Sequence, residues 1–213
     1  MTGQEQLDLH TEINGGREMD NTAFFQLLNA VKDQIEGMRP WMQLRKVDSS
    51  KTALASDTQD TAKALPTRFL RTFSIRRRTG RPSAMMLKSS DDDVLYYDPI
   101  PFGSQEEYRD VNGRFFVDIA GSNFYLTGEV DKTYTIYLNY IQGTVDIAAG
   151  TEWSFPERFH TIPVFLVAEI NKGGIDYDDI NLRQAIANSK TAQDLLRPMI
   201  FWDDQLQRNE LGI

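Results

Sequence analysis

The chain of 213 residues contains no cysteine. That removes disulfide frameworks, thiolate zinc sites and cysteine nucleophiles together, and it leaves folding independent of an oxidising compartment. Histidine is scarce: His10 and His160 are the two present, so any nucleophile–histidine–acid arrangement would have to use one of them. Basic residues are outnumbered, 23 against 31 acidic, for a net charge of −8. Coating nucleic acid rests on displacing counterions with Lys and Arg, so this balance argues against it. Long apolar runs are missing as well. The longest, Ile162 to Ile170, includes Pro163 and Glu169 and falls short of the ~20 residues of a membrane span. The opening Met1-Thr2-Gly3-Gln4-Glu5-Gln6 is polar and acidic where a signal peptide would be basic and then apolar, so a soluble protein without a secretion signal is expected. No fixed-period repeat and no low-complexity segment occurs.

What is present is globular in character, with 40% hydrophobic and 25% charged residues. Residues 1–20 carry Gly15-Gly16 and few apolar anchors, and are expected to form an arm that orders against a neighbour. From Asp20 the apolar residues Phe24, Leu27, Leu28, Val31, Ile35 and Met38 recur at three and four, which predicts a helix over 21–38, capped by Asp20 or Asn21 and ended by Pro40. Residues 41–150 change to short aromatic and β-branched runs broken by turn residues. Residues 133–140 alternate with period two, and 115–119 with 124–127 flank a hairpin turn; the three strands are expected to form a meander. Shorter strands are predicted over 41–47, 73–77, 85–88 and 94–97, with 48–63 an exposed connection. After Gly150 the helical period returns in Phe159, Ile162, Leu166 and Ile170, with Pro163 tolerated in the first turn if Thr161 caps. A last helix is predicted over 178–209, kinked or split near Pro198, with Asp176 to Asp179 at its start. The expected fold is therefore α+β: a helical bundle module from residues 21–40 and 151–213, and an inserted antiparallel β-rich domain over 41–150.

Chemistry-bearing patterns are few. His160 beside Phe159 reads as a packed or capping histidine, and no nucleophile motif accompanies it. Asp91-Asp92-Asp93 reads as a solvated turn and the 176–179 acids as helix capping, since an EF-hand needs a central Gly and a terminal Glu. No phosphate-cradling glycine loop exists. Catalytic residues, cofactor and metal are accordingly all expected to be none, and the chain is read as a non-enzyme. The densest charge feature is Arg68, Arg71, Arg76, Arg77, Arg78, Arg81 and Lys88. It fits a solvated strand and turn, docking to an acidic partner or another copy, or phosphate contact. Trp153, Phe155, Phe201 and Trp202 stand near helix boundaries as core corners or interface anchors. Arg76, Arg77, Arg78, Arg81 and Trp202 are the candidate interface residues.

The order of these features resembles that of the head-to-tail adaptor proteins of tailed bacteriophages. The resemblance rests on the opening amphipathic helix, Leu65-Pro66-x-x-Phe69, and the strand Thr135-Ile136-Tyr137-Leu138-Asn139-Tyr140. It is completed by Phe155-Pro156-Glu157-Arg158-Phe159-His160 leading into an apolar helix. It spans about residues 20–210 and implies a virion protein of the head-tail junction, made in the host cytoplasm. It further implies a ring of identical copies, typically a dodecamer, beneath the portal protein and bound to tail proteins. DNA would pass through the channel without specific binding, and no membrane is involved. Alternatives from the residues are a tail terminator or baseplate component, a glycan-binding protein using Tyr96, Tyr97, Tyr134 and Tyr137, or a glycan hydrolase using carboxylates such as Glu157 and Asp179.

Overall fold

The structure is a computed structural model that describes residues 1–75, 83–173 and 182–211. The chain divides into two units, one from Met1–Leu44 with the described residues from Gly143 onward, the other from Arg45–Gln142. The fold is α+β: N-terminal and C-terminal helices pack together, and a mixed, nearly closed β-barrel sheet is inserted between them in sequence.

The helical unit contains α1 (Gly3–Ile13), α2 (Asn21–Met38), α3 (Thr161–Asn171), α4 (Leu182–Asn188) and α5 (Lys190–Leu211). Helix α2 starts where Asp20 accepts a hydrogen bond from the Ala23 amide and ends at Arg39, whose extended backbone (φ −148°) is what Pro40 imposes on the residue before it. Phe24, Leu28, Val31 and Ile35 form its fully buried stripe, each contributing roughly 2 kcal/mol by leaving water. Helix α3 buries most of its circumference, with Ile162, Pro163, Val164, Leu166, Val167 and Ala168 all enclosed, because α1, α2 and α5 all pack on it. Pro163 lies in its first turn, and His160 rather than Thr161 holds the cap position.

Residues 1–20, expected as an arm, contain the helix α1 packed in this unit. A capping box starts it: Thr2 accepts from the Glu5 amide and Glu5 from the Thr2 amide. Its inward face carries Gln6 and His10 beside Leu7, so the apolar spacing that marks α2 is missing. The C-terminal helix is divided at Ser189, whose hydroxyl accepts from the Ala192 amide at 3.2 Å and caps α5, while Pro198 stays inside α5.

The β unit holds β1 (Arg45–Ala53), β2 (Lys63–Ala64), β3 (Phe69–Thr72), β4 (Met85–Lys88), β5 (Val94–Pro99), β6 (Arg114–Asp118), β7 (Asn123–Leu126) and β8 (Tyr134–Gln142). The sheet order is β1-β8-β4-β5-β6-β7-β2, with β3 also on β8. Tyr134, Ile136 and Leu138 point into the barrel core with Met85, Leu87, Tyr97, Phe115 and Phe124. Three expectations are corrected. The sheet is mixed, not antiparallel: β5 and β6 run parallel, Asp98 opposite Arg114, because the connection over 100–113 is long enough to return the chain in the same direction. The three-strand meander is a two-strand hairpin of β6 and β7, since β8 pairs with β1, β3 and β4. Residues 41–47 start as a 3-10 turn (Met42–Leu44), and β1 extends to Ala53 through residues read as a connection; it pairs with β8 alone, and most of its side chains stay at the surface, Ala53 being the buried one, so it carries no apolar alternation.

Candidate functional site

Both places where the chain passes between the two units are held, inside the helical unit, by buried acids. Asn29, Lys32 and Glu36 lie three and four apart on one face of α2 and grip the returning chain. Asn29 pairs with Ile147 as a strand would, donating to its carbonyl at 3.0 Å and accepting from its amide at 2.8 Å. Glu36, fully buried, accepts from the Thr144 amide at 2.9 Å, the Thr144 hydroxyl and Trp153 Nε1 at 2.7 Å. Lys32 donates to the Thr144 and Val145 carbonyls and pairs with Asp33 and Asp146 at 3.0 and 3.2 Å. At the outgoing crossing, fully buried Asp203 of α5 accepts from the Met42 amide at 2.7 Å and Gln207 Nε2 at 2.8 Å and pairs with Arg39 at 3.0 Å; Arg39 also reaches Asp204 at 2.6 Å. Neither Glu36 nor Asp203 was among the expected site residues. Asp203 falls in phase with the buried Ala192, Leu196 and Met199, and a charge on an apolar stripe was the signal.

Beside these crossings the aromatic residues meet. Trp41 donates to the Ile35 carbonyl at 2.7 Å and meets Phe155 edge-on at 5.7 Å; Phe155 lies 4.5 Å from Trp153. Trp202 closes the group, 5.3 Å from Phe159 and 6.4 Å from Phe155. The Arg158 guanidinium covers both Phe159 (4.7 Å) and Trp202 (5.8 Å). Trp153 and Phe155 are core corners, while Trp202 is half-buried at the rim and its neighbour Phe201 is 60% exposed.

His160 is packed: Nε2 donates to the Phe155 carbonyl at 2.6 Å and Nδ1 faces the Met1 carbonyl at 3.2 Å, so both ring nitrogens are engaged by backbone. His10, expected in a mobile tail, is buried, with Nε2 2.9 Å from Asn14 Nδ2 and 3.0 Å from Asn171 Nδ2. Burial and the nearby Lys172 push its pKa down. Glu157 is exposed and pairs with the terminal amine at 3.3 Å; Asp176 to Asp179 lie outside the described residues.

In the β unit the Asp91-Asp92-Asp93 turn is ordered by Lys132, which bonds Asp91 at 2.8 Å and Asp93 at 3.2 Å. The Lys132 and Ser89 hydrogen bonds bring the Asp91 carboxyl down to about 2, and Lys132 is pushed up in turn, chiefly by its bond to Asp91. Tyr134 reaches Asp131 at 2.8 Å and Asp93 at 3.0 Å; desolvation first, then these acids, raise its pKa. Among the described residues no three acids or histidines are placed to hold a metal ion. Tyr97 and Tyr134 lie in the core and present no stacking face; Tyr96 is exposed. Arg76, Arg77, Arg78 and Arg81 lie outside the described residues. Of the same basic group, Arg68 is exposed and Lys88 pairs with Asp92 at 2.6 Å.

Among the described residues no helix is long and apolar enough to cross a membrane. The chain matches no protein-family model, and no curated protein matches it either.

Proposed function

We propose that this chain is a structural adaptor of the bacteriophage head-to-tail junction, assembling as a ring of identical copies that joins a portal to a tail and leaves a channel for DNA. The observation that carries the reading is a helical unit drawn from both ends of the sequence, with a β-barrel inserted once and both crossings held by Asp203 and Glu36. The family's resemblance implies that division of labour: helices around the channel and a β module for tail contacts. A joint that works by geometry needs crossings that do not yield, and charged groups sealed into the helical unit supply them. The rim formed by Trp202, Phe201 and Arg158 has the composition of an interface anchor, aromatic rings with an arginine at the edge of a packed cluster. The net charge of −8 suits a conduit that passes DNA without gripping it.

The test is mass photometry of the purified chain, alone and mixed with portal rings from the same virus. Assembly into one closed species of fixed copy number, alone or on the portal, is the expected result. A chain that stays monomeric in both conditions contradicts the proposal.

A further inference from the structure

Helix α1 is docked through a face poorly made for docking. Its buried residues are Gly3, Gln6, Leu7 and His10, so Leu7 is the apolar side chain in that set. Gln6 is completely buried, and neither its amide nitrogen nor its amide oxygen has a partner among the described residues; the same holds for Nδ1 of His10, one turn further on. A buried polar atom with no partner opposes burial, and three of them stand on one face of an eleven-residue helix. What holds α1 is concentrated at its two ends. At the start, Gly3 and Gln4 donate to the Thr151 and Ala149 carbonyls, and Gly3 fits so closely that a Cβ would lie 2.1 Å from the Ala148 carbonyl oxygen. At the other end the His10 ring packs 5.0 Å from Phe24 of α2 and meets Asn171 of α3. The following turn holds Gly15 and Gly16 at φ +68° and +80°, a left-handed helix end in which their amides donate to the Glu12 and Thr11 carbonyls at 3.0 and 2.9 Å, and from which residues 17–20 lead on to α2.

We infer that α1 is a releasable helix, and that protonation of His10 is what releases it from α2 and α3. In the docked helix Nε2 faces two amide nitrogens, so the ring accepts there; a second proton turns it into a donor against them and adds a charge in a buried place. Lys172 at the end of α3 opposes protonation of the ring, Arg17 and Glu18 line the same open cavity, and α2 contributes the uncharged Phe24 ring. The docked state lowers the pKa of His10, so docking is unaffected well above the ordinary 6.5 and is lost as pH falls through 6.5 and the lowered value. Release does not depend on what the chain assembles with.

The test is amide hydrogen exchange by mass spectrometry on the full chain at pH 7.5 and 5.5, corrected for intrinsic exchange rates. Protection of residues 4–13 is expected to fall at the lower pH, by up to ~tenfold per pH unit, the limit for one proton. Protection of α2 and α3 stays unchanged. His10→Leu, which has no proton to gain, is expected to give α1 equal protection at the two pH values, and Gln6→Leu to raise its protection at pH 7.5, because it replaces two orphaned polar atoms by apolar ones. Gly3→Ala is expected to leave α1 exchanging freely at both. Equal wild-type protection of α1 at the two pH values, a pH response that survives His10→Leu, or α2 losing protection together with α1 would each overturn the inference.

Discussion

Glu36 and Lys32 are charged, one helical turn apart, and both removed from water, yet their loss is not expected to cost the same. Glu36→Ala strands the Trp153 indole N–H and the Thr144 amide inside the protein and opens space beside them. A cost of roughly 3 kcal/mol in urea unfolding is expected, the range of a buried charged hydrogen-bond acceptor removed from its donors. Lys32→Met leaves Asp33 and Asp146, which are 58% and 79% exposed and return to water, and loses two long bonds of 3.4 Å to the Thr144 and Val145 carbonyls, so about 1 kcal/mol is expected. Equal costs would show that the two do not act as the geometry assigns. At this scale the sequence is least readable. Glu36 looks like the solvated charges around it on α2, and Asp203, though in phase with an apolar stripe, does not reveal what it anchors: Thr144 and Met42, their backbone partners, lie more than a hundred residues away in the chain.

Among the elements, those with a strong period are legible and those without are not. Helix α2 and the inward half of β8 follow from spacing alone, because burying a continuous stripe decides their conformation. β1 and α1 do not, since a strand with most of its side chains at the surface and a helix with a polar inner face carry no such stripe; the capping box at Thr2 was α1's visible mark. The division of the C-terminal helices illustrates two signals in competition. Proline at 198 reads as the break, but Ser189 supplies a side-chain acceptor to the next helix and wins, leaving Pro198 exposed within α5. Pro198→Ala restores an amide donor in the helix interior and is expected to stabilise the chain by roughly 2 kcal/mol in thermal unfolding, where a loss of stability would mean that the proline shapes a needed bend. In the β unit the acidic turn has a pH signature. Asp91 titrates near 2 instead of 3.8, so its contribution is complete above 3.8 and is lost as the pH falls towards and through about 2. Lys132→Met is expected to raise the Asp91 value part of the way back in an NMR titration, the Ser89 hydrogen bond remaining, and no upward movement would remove Lys132 as the main cause.

For the whole molecule, the switch from helical to strand periodicity and back was enough to read an α+β chain with a β insertion between helical ends. The parallel pairing of β5 with β6 was not, because direction in a sheet depends on where a fourteen-residue connection, 100–113, lays the chain down and not on any residue pattern within it. The β unit has its own core, from Ala53 to Leu138, so a fragment of residues 45–142 is expected to fold alone, with the dispersed amide NMR spectrum of a β-barrel. The adaptor reading stands or falls on assembly. Negative-stain electron microscopy of the full chain, with and without portal, tests it most directly: closed annuli with a central opening, alone or stacked coaxially on the portal, are the predicted images. Isolated single copies in both preparations would contradict it.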